Sequence, residues 1–153
     1  MSGLDRVDAK IVQRMQKDGK LSNTKLASEL ALSETACWRR LKRLEEEGVI
    51  TDYQANLDRR KLGFGVMAFV QLTCNQHDAE TTERFERTIE QCENVMACHN
   101  TTGEADFLLQ VVAIDLDDYS RFVDQVLRKL PGVSAISSNI SLRELKSSTR
   151  LPV

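Results

Sequence analysis

The stretch from Leu21 to Ile50, LSNTKLASELALSETACWRRLKRLEEEGVI, constrains the fold more than any other part of the chain. Ser22 stands where it can N-cap a helix, and the preceding Leu21 is spaced to staple onto Leu26. Leu26, Ala27 and Leu30 then follow the helical period from Asn23 onward. Ala31 and Leu32 lead directly to a second capping residue, Ser33, and Leu32 and Cys37 repeat the staple spacing. Cys37, Leu41 and Leu44 make one apolar stripe, which Gly48 terminates. Two short helices joined by a tight turn satisfy all of these signals at once.

With the stripe turned inward, helical geometry directs Thr35, Ala36, Arg39, Arg40 and Arg43 outward and leaves Trp38 and Lys42 on the flanks. A second helix that opens with small residues and carries clustered cations suits a DNA major groove. Thr35 and Ala36 would meet thymine methyls and Arg39 or Arg40 guanine edges, with Ser33, Lys42 and Arg43 completing the candidate DNA-binding set. Glu45, Glu46 and Glu47 would repel phosphate, so the C-terminus of the helix is expected to point away from the duplex. A merely solvated face, with Lys42–Glu46 and Arg43–Glu47 pairs, explains the charges but not the two caps and the tight turn. Trp38 is expected to pack on the scaffold, and Cys37 in the core.

Upstream, Leu4, Val7, Ile11 and Met15 recur at helical spacing, with Asp5 and Asp8 in the opening turns and Asp18-Gly19 as the stop. The unit therefore reads as three helices. Thr51, Tyr53, Ala55 and Leu57 alternate with polar residues, the period of a half-buried strand that would serve as wing or connector. Asp58 to Lys61 reads as a polar linker whose basic residues would either add phosphate contacts or be solvated, and solvation is the favoured reading.

The remaining chain repeats strand, helix, strand. Val66 to Leu72 is an apolar strand candidate, Phe85, Ile89 and Cys92 stripe a helix, and Val95 to Thr101 is a second strand. After the turn Thr102-Gly103-Glu104-Ala105, Phe107 to Ile114 forms a third strand. Asp115 caps a helix striped by Leu116, Tyr119, Phe122, Val123, Val126, Leu127 and Leu130, which Pro131-Gly132 ends. Val133 to Leu142 closes the pattern with Ile136, Ile140 and Leu142 on one face and Ser137, Asn139 and Ser141 on the other. The expected class is α+β: a three-helix, winged helix-turn-helix over residues 1–60, joined by a strand to a ferredoxin-like βαββαβ domain over 61–153. Such a sheet carries both helices on one face, and a domain this small buries only about 60% of its unfolded surface. A second copy is expected to cover the open face, which would present two recognition helices to a two-fold symmetric site.

Composition is that of a globular protein, 41% hydrophobic and 29% charged. The net charge of −2 looks wrong for a DNA binder until the halves are separated. Residues 1–60 hold 12 Lys/Arg against 10 Asp/Glu, a net +2, and the rest holds 9 against 13, a net −4. DNA contact therefore belongs to the first half. No apolar run approaches the roughly 20 residues that span a bilayer, and the first ten residues lack a signal core, so a cytoplasmic protein without a membrane partner is expected. The four cysteines form no CxxC pair or disulfide framework.

The motifs LDRVDAKIV, KDGKLS, RLKRLEEEGVI, TGEADFLL, LPGV and KSSTRLP occur in the order found in the Lrp/AsnC family of transcriptional regulators, which the chain closely resembles over nearly its whole length. The resemblance implies a non-enzymatic regulator of double-stranded DNA with no cofactor, whose second domain dimerises, assembles into tetramers or octamers and senses a small effector, usually an amino acid. It places the effector at the loop Thr101 to Asp106, where dimers meet. There Gly103 would let the backbone come close to a ligand, Asp106 or Glu104 would pair with an α-ammonium, and backbone N–H groups would hold the carboxylate. Ala105 belongs to the same loop, and Asn139 would complete the pocket. Two residues depart from the family pattern: Ala36 stands where proline is frequent, and Ala105 where an aromatic residue is common. A plain hairpin turn at Gly103, with Asp106 satisfying backbone donors, is the structural alternative.

Three rival functions differ in kind. A metal- or thiol-responsive regulator would use Cys74 with His77, or Cys92 with Cys98 and His99, but adjacent strand residues such as Cys98 and His99 point to opposite faces. An enzyme would need the two histidines and the Glu104/Asp106 pair to be organised, and no motif organises them. An effector-independent architectural protein that bends DNA shares every feature of the DNA-binding half.

Overall fold

The computed structural model describes residues 3–153, which form two compact units. The first comprises the chain to Asn56 together with Lys146–Val153, and the second is Leu57–Leu145. This differs from the expected division at 60/61, because the tail groups with the first unit. The Gln16 side chain pairs with the Leu151 main chain on both sides, accepting from its N–H at 2.6 Å and donating to its carbonyl at 3.2 Å. Gln13 donates to the Val153 carbonyl.

In the first unit α1 (Arg6–Lys17), α2 (Asn23–Leu30) and α3 (Glu34–Glu46) enclose one apolar cluster. Each start is capped by a side chain: Asp5 accepts from the N–H groups of Val7 and Asp8, Ser22 from Lys25, and Ser33 from Ala36. Leu21 and Leu26, like Leu32 and Cys37, belong to the cluster as the staple spacing requires. Ala31 makes the turn between α2 and α3 in the left-handed region, at φ 54°, where a β-carbon is strained. Gly48, at φ +70°, follows the end of α3.

Thr51 to Leu57 does not form the expected strand. The segment has no ladder partner and its residues are exposed, since alternation alone cannot supply the neighbouring strand on which a ladder depends. Tyr53 instead donates its hydroxyl proton to Glu45 at 2.8 Å. The linker is not uniformly solvated either, because Arg59 donates to the carbonyls of Phe64 and Gly65.

The second unit runs β1 (Val66–Cys74), α4 (Ala79–Glu90), β2 (Val95–Asn100), β3 (Phe107–Ala113), α5 (Leu116–Gln125), a 3-10 turn (Leu127–Lys129) and β4 (Val133–Ile140). The antiparallel sheet has the order β2-β3-β1-β4, the βαββαβ arrangement expected. Ala68, Val70 and Leu72 of β1 and Leu109, Val111 and Ala113 of β3 face Phe85, Ile89, Tyr119 and Leu127 in the core. The opposite face carries Met67, Phe69 and Gln71 beside Leu108, Gln110 and Val112, with Ser137 and Asn139 at its edge. Phe69 on that face is 40% exposed.

Several stripe residues fall outside the core. Leu116 and Leu142 are exposed, because each lies at or beyond the end of its element, where no neighbour covers it. The last helix also stops at Gln125 and tightens into the 3-10 turn, which carries Leu127 and Leu130 into the core. No helix among the described residues is long and apolar enough to cross a membrane.

Candidate nucleic-acid interface and effector region

The sides of α3 divide differently from the sequence expectation. Arg40 donates to Asp5 at 2.5 Å and to Asp8 at 2.8 Å, and Arg43 donates to the other Asp8 oxygen. Asp8 is 1% exposed. Both arginines thus reach toward α1 and neutralise a buried carboxylate, Arg40 at 30% side-chain exposure and Arg43 at 48%. Asp8 lies more than 30 residues away in sequence, so helical periodicity within α3 could not reveal it. The same clasp acts on Asp5, whose carboxyl is lowered from its ordinary 3.8 to about 2, first by the Asp8 N–H and next by Arg40.

Thr35, Arg39 and Lys42 remain on the exposed side, Ala36 is half-buried beside them, and Ser33 is engaged as the cap. Lys42 lies 3.6 Å from Glu45, and Arg39 has no ion-pair partner among the described residues. Trp38 does not pack on the scaffold as expected. It is 57% exposed, since the one-residue offset from buried Cys37, about 100° around the helix, carries it past the edge of the core.

In the second unit the Thr101–Asp106 loop is knit by its own groups. Thr101 donates its N–H to the Asp106 carbonyl at 2.9 Å and its hydroxyl to the Ala105 carbonyl at 2.6 Å. Asn100 also donates to the Asp106 carbonyl, at 3.0 Å. The Asp106 carboxylate accepts the Cys74 N–H at 2.6 Å, so one of its oxygens ties β1 to the loop, as the structural alternative required. Glu104 is exposed and forms no ion pair among the described residues.

Gly103 does not serve as a strained turn residue. Its φ lies outside the left-handed region, and an added β-carbon would meet nothing within 4 Å. Asn139 does not join the loop within one chain. It pairs with Phe69, three residues back along β1 from Leu72, whose partner Phe107 adjoins the loop. That offset is about 10 Å along the strand.

A cleft of about 250 Å³ opens beside the loop, lined by Cys74, Gln76, His77, Asn100 and Phe107 among others. Gln76 and Asn100 escaped the sequence reading because neither belongs to a periodic stripe or a motif. Burial and the Asp106 carboxylate push the Cys74 thiol up, and burial raises Cys37, Cys92 and Cys98, so all four thiols stay protonated at neutral pH. Among the described residues no group of three or more His, Cys, Asp or Glu is placed to hold a metal ion.

A capped helix-turn-helix followed by this sheet matches two family descriptions. Residues 4–51 match a winged helix-turn-helix DNA-binding family, and residues 67–151 the Lrp/AsnC ligand binding domain. The chain belongs to the Lrp/AsnC family. It is 34% identical over 150 residues to the leucine-responsive regulatory protein of Escherichia coli K12, covering 98% of this chain and 92% of that protein. Among solved structures it is similar to a transcriptional regulator of Neisseria meningitidis in complex with L-Met, at 36% identity and a TM-score of 0.93. That match covers 97% of this chain and 96% of the other. An AsnC family regulator of Agrobacterium tumefaciens is similar at 34% identity and a TM-score of 0.92, with 97% of both chains covered. This Lrp/AsnC protein is accordingly a DNA-binding transcriptional regulator, not an enzyme.

Proposed function

We propose that this regulator reads specific DNA sites with the exposed side of α3, and that an amino acid bound at the Thr101–Asp106 loop alters that reading. Ser33, Thr35, Ala36, Arg39 and Lys42 are assigned to the DNA face. Arg40 and Arg43 are assigned chiefly to holding α3 on α1. The observation that carries the effector reading is a run of four backbone N–H groups, Thr102 to Ala105, with no acceptor among the described residues. Such a run suits a carboxylate. Glu104 is assigned the α-ammonium, since Asp106 is already engaged by Cys74. The L-Met bound to the Neisseria meningitidis relative supports an amino acid as the ligand class.

Phe69, exposed on the open sheet face beside half-buried Leu108, supports dimerisation through that face, with tetramers or octamers built from such dimers. Asn139 would then contribute from the dimer surface rather than from the loop.

The test is a thermal-shift screen of the full chain against the amino acids, followed by titration of the best binder into a DNA-binding assay. Stabilisation grows as RT ln(1 + [L]/Kd), so a true effector raises Tm with concentration. Glu104→Gln is expected to abolish that rise while leaving effector-free DNA affinity unchanged. A screen in which no amino acid moves either Tm or DNA affinity refutes the effector reading.

A further inference from the structure

We propose that Trp38 contacts DNA directly, its indole lying against the C5 methyl of a thymine in the major groove and setting a thymine preference at one position. The inference rests on the reading of α3 as the recognition helix and goes beyond it by assigning an apolar contact among the cations.

An indole is usually covered in a folded domain, and Trp38 is 57% exposed. It stands in the N-terminal half of α3, the part of a recognition helix that enters the groove. Thr35 lies three residues before it and Lys42 four after, so both are its neighbours on the helix surface, and Arg39 follows it directly in sequence. Thr35 and Arg39 are exposed, and Arg39 lacks an ion-pair partner among the described residues.

The charge around the indole selects the occupant. A second copy docking through the same patch would set Arg39 and Lys42 against their own counterparts, like charge on like. A duplex instead offers phosphates to the cations. The thymine methyl is the apolar group its major groove presents to the indole.

Duplexes are first selected from a random library with the wild-type chain, and each thymine of the enriched site is then replaced by deoxyuridine, which removes only the methyl. At the contacted position this replacement is expected to weaken wild-type binding several-fold and to leave W38A unaffected. W38A itself is expected to bind the unmodified site about tenfold more weakly at every salt concentration, with an unchanged salt slope because no phosphate contact is lost. W38F should recover part of the affinity. As the chain has one tryptophan, its emission should quench or shift when the selected duplex binds.

Circular dichroism melting of W38A should match the wild type, since the side chain is largely exposed. Equal affinity of W38A and wild type for the selected site overturns the assignment, as does a methyl effect of the same size in both proteins. A changed oligomer mass for W38A with unaltered DNA affinity would make a second copy the occupant and also overturn it. Failure of the wild type to enrich any sequence would instead bring down the reading of α3 on which the inference rests.

Discussion

Asp8 is buried at 1% exposure between two guanidiniums of α3, and its charge is tolerable only because they neutralise it. Arg40→Ala removes one partner and leaves Arg43, so the variant should lose about 1–3 kcal/mol of stability, measured by urea unfolding. Any weakening of DNA binding should follow that loss and vanish at temperatures where both proteins are fully folded. Asp5 gives the acid side of the same clasp. Its folded carboxyl sits near 2 instead of 3.8, so it stabilises the fold fully above its ordinary value, and that contribution disappears as pH falls through about 2. The urea midpoints of wild type and Asp5→Asn should therefore differ above pH 4 and converge toward pH 2. Ala31, at φ 54°, holds strain that glycine would not. Ala31→Gly is expected to raise stability by about 0.5–1 kcal/mol.

At the scale of elements, the helix starts were legible because capping is local chemistry. Ser22 and Ser33 each bond an N–H three residues on, and no distant partner is needed to see it. The strands were legible for a related reason, since the core face of β1 repeats every second residue. What stayed hidden depends on partners far along the chain: the Arg40 and Arg43 clasp on Asp8, the Cys74 tie to Asp106, and the missing neighbour of Thr51–Leu57. The Thr101–Asp106 loop belongs to this scale. An added β-carbon at Gly103 meets open space, so Gly103→Ala should leave the Tm of the ligand-free protein within about 1–2 °C while weakening effector binding, measured by calorimetric titration. A large drop in the ligand-free Tm would restore the hairpin explanation for the glycine.

At the scale of the whole molecule, the charge split between residues 1–60 and 61–153 favours DNA contact through the first half. Under the proposed dimerisation, Phe69→Glu on the open sheet face should halve the mass read by light scattering and should reduce affinity for two-fold symmetric DNA more than for a single half-site. The tail carries a further consequence. Leu151 and Val153 bond Gln16 and Gln13 of α1, so the first unit draws described residues from both sides of the second unit in sequence. During synthesis its three helices emerge from the ribosome well before the strand of residues that finishes their outer surface. The unit that carries α3 is therefore begun before the second unit is translated and completed only after it.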